Sequence, residues 1–168
     1  MTQTQTQTLP QVGHEHHERL LEHVDRMPAI ADGLLTATPQ DVRSSVDEMS
    51  AFLTGTLVPH VDAAEKTLYP ELERMFQNRH SMSPMRREHV EVRRLVAAFA
   101  RLTDDVDAGH VNIGKTLGLR RVLFQLYALL KIHLAEEELY LRIVAHGVAA
   151  DVADMLAAAM DHPGIRTA

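Results

Sequence analysis

The sequence predicts an all-α protein, an antiparallel up-down four-helix bundle with a short extra C-terminal helix. Three observations predict it. Apolar residues recur at steps of three and four along most of the chain, the spacing that lines one face of a helix. No stretch alternates cleanly enough for a sheet. Four long periodic segments are joined by short connections, which places consecutive helices side by side in opposite directions. The 168 residues suffice for one domain with a sizeable core.

The elements follow in order. Residues 1–12, opening with "MTQTQTQTL", are polar and of low complexity, and are expected to form a disordered tail ahead of a domain at 13–162. The first helix is expected from about His14 to Leu35. "TPQD" starts the second, with Thr38 as N-cap, Pro39 at the first helical position and Asp41 just inside. This helix reaches about Phe76 and is expected to bend near Pro70, because proline removes a backbone donor. "NRHSMSP" is a connector, and Ser83 with Pro84 repeats the cap-plus-proline start for a third helix ending near Gly109. The fourth spans about Lys115 to His146 and stops at Gly147. An alanine-rich helix from about Ala149 to Met160, apolar along Val152, Met155, Leu156 and Met160, closes the chain over the bundle or against a second copy.

Composition removes several classes of function. With no cysteine there is neither a disulfide framework nor a thiolate metal site. A net charge of −6 argues against nucleic acid or an anionic membrane as partner. No apolar run is long enough to span a bilayer, and no signal-peptide pattern opens the chain, so a cytoplasmic location is expected. Eleven histidines, against three tyrosines, four phenylalanines and no tryptophan, are the anomaly to explain.

The histidines interrupt the apolar stripes. In the fourth helix Leu119, Leu123, Leu126, Leu130, His133, Glu137, Tyr140 and Val144 form one face. In the third, His89 lies in line with Met85, Val92, Val96, Phe99 and Val106. In the second, His60 is in register with Met49, Leu53, Leu57, Ala64, Leu68, Leu72 and Met75, and Glu65 lies at the edge of that stripe. In the first, His17 is in phase with Leu20, Leu21 and Val24, better than His14, His16 or His23. Counting residues from the loops at ~1.5 Å each puts His89 level with His133 and His17 within about a turn of His60. His23 would miss by about 15 Å. Glu65 and His89 disagree in depth by about 10 Å, which a bend at Pro70 would absorb.

One histidine on an apolar face is ordinarily a core residue with a single hydrogen-bond partner. Four at matching depth, joined by two carboxylates, are harder to explain so. Burying an unpaired carboxylate costs several kcal/mol, and no lysine or arginine shares the stripes of Glu65 and Glu137 nearby. A network of imidazolium and carboxylate would neutralise them; a metal does so better, because neutral imidazole and carboxylate are common nitrogen and oxygen ligands. The set His17, His60, Glu65, His89, His133 and Glu137 exceeds what one tetrahedral zinc needs. It fits a pair of irons, with zinc or manganese as alternatives. Ferritin-like Glu-x-x-His pairs and HExxH are absent, as are nucleophilic triads and phosphate-binding glycine motifs.

The segments "HHERLL", "PHVDAAEKTLYPEL", "REHVEVRRL" and "HLAEEELYL", in that order over about His14 to Val144, resemble the hemerythrin-like family of HHE cation-binding domains. The resemblance implies a four-helix bundle holding a non-haem di-iron centre, with ligands at His17, His60, Glu65, His89, His133 and Glu137. It implies binding of, or reaction with, O2, H2O2 or NO, and an electron donor of unknown identity. The chain departs from the pattern twice. Ala64 stands where the family usually has glutamate four residues after the second-helix histidine, so Glu65 is expected to take over. Met85 and Arg93 flank His89 where oxygen-carrying members place a further histidine, which leaves a coordination position open or filled by water or tyrosine. Tyr69 and Tyr140 are expected to pack as core side chains, with a hydrogen bond donated to the site as the other reading. An iron- or oxygen-responsive binding module without catalysis, or a bundle held by structural zinc, are the other readings. The chain is expected to act as a monomer or homodimer. Glu136, Glu138, His80, His110, His146 and His162 are expected at the surface.

Overall fold

The leucine stripe of the last helix turns inward as its spacing demands: Leu119, Leu123, Leu126 and Leu130 are all buried. The computed structural model describes residues 9–107 and 113–146, with side chains over 14–103 and 113–143. All elements among them are helical. They are α1 (Leu9–Gly33), α2 (Pro39–Phe52), α3 (Val58–Ala63), α4 (Tyr69–Met75), α5 (Ser83–Asp107) and α6 (Ile113–His146). α2, α3 and α4 form one continuous helical run that includes two π turns, Leu53–Leu57 and Ala64–Leu68, so the described residues form four helices. α6 packs along α1 and α5, and α2 against α5. No helix of the described residues is long and apolar enough to cross a membrane.

The helix starts follow local chemistry. Thr38 caps α2, its hydroxyl oxygen accepting from the Asp41 backbone N–H at 3.2 Å, with Pro39 next. α1 begins at Leu9, five residues before the expected start at His14. α5 takes Ser83 as its first helical residue instead of as its cap. α4 closes without glycine: Gln77 adopts φ 49°, and the Asn78 N–H reaches back to the Glu73 carbonyl at 3.1 Å, the left-handed closure that glycine usually supplies. The expected 149–160 helix, the 1–8 tail, His110 and His162 lie outside the described residues.

At Pro70 the helix widens. A proline has no N–H to give the carbonyl four residues back. Val58, just before Pro59, donates to Leu53, and Tyr69, just before Pro70, donates to Ala64, each five residues back. The extra residue in each wide turn rotates everything beyond it by about a quarter turn relative to a regular helix.

Two apolar clusters form the interior. The larger draws on α1, α2, α5 and α6, with Leu20, Val24, Met27, Phe52, Phe99 and Leu126 among its members. The smaller holds Ala64, Tyr69, Leu72, Met82 and Met85. On two of the helical runs a buried histidine comes where one cluster gives way to the other, His60 beside Val61 and Ala64 and His89 between Met85 and Val92, while on α6 His133 and Glu137 lie on either side of Leu134 of the larger cluster. Leu126, with 0% exposure, lies well inside the larger cluster. Leu126→Ala should therefore cost about 2–5 kcal/mol, read from urea denaturation, because a well-packed core collapses only partly around a lost side chain.

Candidate metal centre

Glu137 organises the polar layer. It is fully buried on α6. His17 from α1 places Nε2 3.0 Å from Glu137 Oε2, and His60 from α3 brings its own Nε2 to the same oxygen at 3.0 Å. The Tyr69 hydroxyl on α4 donates to the other oxygen, Oε1, at 2.8 Å. Tyr69 Oη also lies 3.0 Å from His89 Nε2, and His89 Nε2 lies 3.0 Å from His133 Nε2. Donor atoms of His17, His60 and Glu137 come within 4.8 Å of one another, as do those of His89, His133 and Glu137. Glu137 is common to both groups.

The outer nitrogens determine what the inner ones offer. His89 Nδ1 faces Glu65 Oε1 at 2.9 Å, and His133 Nδ1 faces Glu88 Oε2 at 2.8 Å. An ionised carboxylate only accepts, so this network assigns the single proton of each neutral imidazole to Nδ1. Both Nε2 atoms then carry lone pairs, 3.0 Å apart. Two lone pairs at that distance repel unless a cation lies between them. Two donors about 2.1 Å from one ion and at right angles are about 3 Å apart, so the spacing fits a shared metal. His60 Nε2 gives a second sign: it is buried and close to Glu137, yet out of hydrogen-bond alignment with any partner. The residues present thus fit a metal centre with nitrogen and oxygen donors.

Electrostatics agree with neutral imidazoles. Burial pushes His89 down to about 4, with His133 beside it adding to the effect. Burial also lowers His133. Burial works against the charged form of Glu137, but the hydrogen bond from His17 and the nearness of His60 and His133 outweigh it and hold the carboxyl well below the usual range. Burial, followed by the Glu137 charge, raises the Tyr69 phenol, so it keeps its proton.

Of the six residues the sequence singles out, the fold brings His17, His60, His89, His133 and Glu137 together. Glu65 it places elsewhere. Its side chain is 28% exposed and meets His89 from the outer side, where the Arg93 guanidinium also holds it at 2.9 Å. Arg93 reaches on to Asp62 at 2.7 Å. Burial favours the neutral form of Glu65, but bonds from Arg93 and His89 win and lower it. No lysine or arginine shares the stripe of Glu65, but a cation reaches it from α5, a partner that stripes read one helix at a time miss. Glu138 is a second correction. It is half-buried and accepts from His14 at 3.0 Å, whereas Glu136 and His80 are exposed as expected. His16 is half-buried with its ring 5.1 Å from that of His60, and His23 stacks on Phe52. Ala64 is buried in the smaller apolar cluster.

Sequence reasoning placed Tyr69 near the site without giving it a partner. Nine residues after His60, it would emerge about 180° away on a regular helix. The π turn Ala64–Leu68 takes back about 100° and turns its ring inward.

Two predictions follow from this geometry. Tyr69→Phe keeps the ring and deletes the donor to a buried carboxylate, so the metal-free protein should lose about 1–3 kcal/mol in denaturant titrations. The pH dependence has a definite sign. The unfolded chain takes up protons at histidine below about 6.5, while folded His89 resists until about 4. Metal-free stability is therefore complete above 6.5 and falls as pH drops through that window. A urea midpoint unchanged between about pH 7.5 and about pH 5 would contradict it.

The hemerythrin HHE cation binding domain matches residues 11–141, a span that includes every residue of the polar layer. No curated protein and no solved structure gives a significant match. By this match, over most of its length, the chain belongs to the hemerythrin HHE cation-binding family.

Proposed function

We propose that this chain is a non-haem di-iron protein, cytoplasmic, whose helices form an antiparallel up-down bundle around the metal pair. Its ligand is a small molecule: O2, H2O2 or NO. The observation that supports two ions over one is the sharing of Glu137. Two groups of two histidines each use it, one through Oε2 and the other beside Oε1, as a carboxylate bridging two ions would.

When bound, the pair would supply electrons to a diatomic or peroxide. The chain's own contributions are positional. His17 and His60 would hold one ion, His89 and His133 the other, and Glu137 both. Glu65 stays on the outer face of His89 in this reading, leaving the ligand set short of one carboxylate and a position free for a small molecule. Tyr69 keeps a proton between Glu137 Oε1 and His89 Nε2, where it can hydrogen-bond to an incoming oxygen or nitrogen atom. The surrounding leucines and Met85 keep bulk water and larger substrates out of the layer.

Metal analysis with an optical spectrum of protein purified without chelator tests the reading. About two irons per chain, with near-ultraviolet absorption that changes on reduction, is the expected result. Zinc or manganese in their place removes the iron assignment, and redox-silent zinc makes the bundle a structural one. Iron that neither consumes peroxide nor reacts with NO makes the chain a binding module.

A further inference from the structure

The two halves of the polar layer are supported differently. His89 and His133 each have a carboxylate on the outer nitrogen, Glu65 at 2.9 Å and Glu88 at 2.8 Å. Glu65 is itself clamped by Arg93, which is anchored on Asp62. His17 lacks such support. Its Nδ1 lies 3.6 Å from Glu138 Oε2, beyond hydrogen-bond reach, and neither atom has another partner. Glu138 is drawn away, its other oxygen accepting from exposed His14 at 3.0 Å. A pocket of about 210 Å³ between α1 and α6, lined by His14, His17, Lys131, Leu134 and Glu138, lies behind this imidazole.

A carboxylate on the outer nitrogen fixes the tautomer and the ring orientation and makes the inner nitrogen a stronger donor. We infer that the two metal positions are inequivalent: the His89/His133 position, backed by Glu65 and Glu88, fills first and holds its ion tightly, and the His17/His60 position is the exchangeable one, beside the α1/α6 pocket. This rests on the two-ion reading above. Glu65 and Glu88 act as positioning residues through His89 and His133. The free energy for ordering the site is therefore concentrated on α5 and α6.

The test is a titration of metal-free full-length protein with Co2+, whose visible spectrum reports each position. Wild type should take up two ions in two resolved steps. Glu65→Gln and Glu88→Gln, which keep shape and remove charge, should each weaken the first step about 10- to 100-fold and leave the second within a few-fold. Glu65→Asp should recover much of that loss, and Glu138→Gln should leave the first step unchanged. Circular dichroism of each metal-free variant establishes that it is folded. Two ions bound in one unresolved step, or a Glu65→Gln change that weakens both steps alike, overturns the inference and leaves the two-ion reading standing. Fewer than two ions bound by wild type overturns both.

Discussion

A carboxylate with no exposure to water, Glu137, is the constraint around which the rest of the molecule is arranged. Burying a charge without partners costs several kcal/mol even after relaxation, against a domain stability of only ~5–15 kcal/mol. The chain meets this from three separate helical segments: His17 on α1 and Tyr69 on α4 hydrogen-bond to the carboxylate, and His60 on α3 brings Nε2 within 3.0 Å of it without hydrogen-bond alignment. Each approaches from its own side, so satisfying one carboxylate places these segments relative to α6. A leucine at position 137 would have asked only for contact; a carboxylate asks for direction as well.

The polar layer is built outward from that point. Inner nitrogens converge on the centre, and outer nitrogens of His89 and His133 turn to Glu65 and Glu88. From Glu65 the chain of bonds passes through Arg93 to Asp62 at the surface, so a continuous run of charged partners links the interior to solvent on the α3/α5 side. On the α1 side the run breaks at His17 Nδ1. That difference in support, more than any difference in the inner donors, separates the two halves of the site. The apolar clusters on either side keep the layer dry and make its few hydrogen bonds count for more than they would in water.

Much of the site was legible because helical periodicity is a local property. His133 and Glu137 replace leucines in an unbroken stripe, and His89 and His60 replace apolar residues in theirs, so their inward direction follows from spacing alone. His17 was separable from His14 and His16 by phase. What periodicity cannot supply is the identity of a partner on another helix. Arg93 sits four residues after His89, and its stripe says nothing about Glu65 or Asp62 across the gap. Glu88, adjacent to His89 in sequence, serves His133 on α6.

The sequence by itself determined the four helices of the described residues, their inward faces, the capped start at Thr38, and five of the six polar residues it singled out as pointing into the core. The tertiary structure decided how those residues pair. Pro70 announced an interruption, since proline cannot donate to the helix, but not the form that the interruption takes. Here the helix widens, and one added residue per turn carries Tyr69 inward beside Glu137, while Glu65 meets the outer side of His89. The physical reason is one of range. Propensity and periodicity act over a few neighbouring residues, whereas the hydrogen bonds that specify this centre join residues from 20 to 120 positions apart.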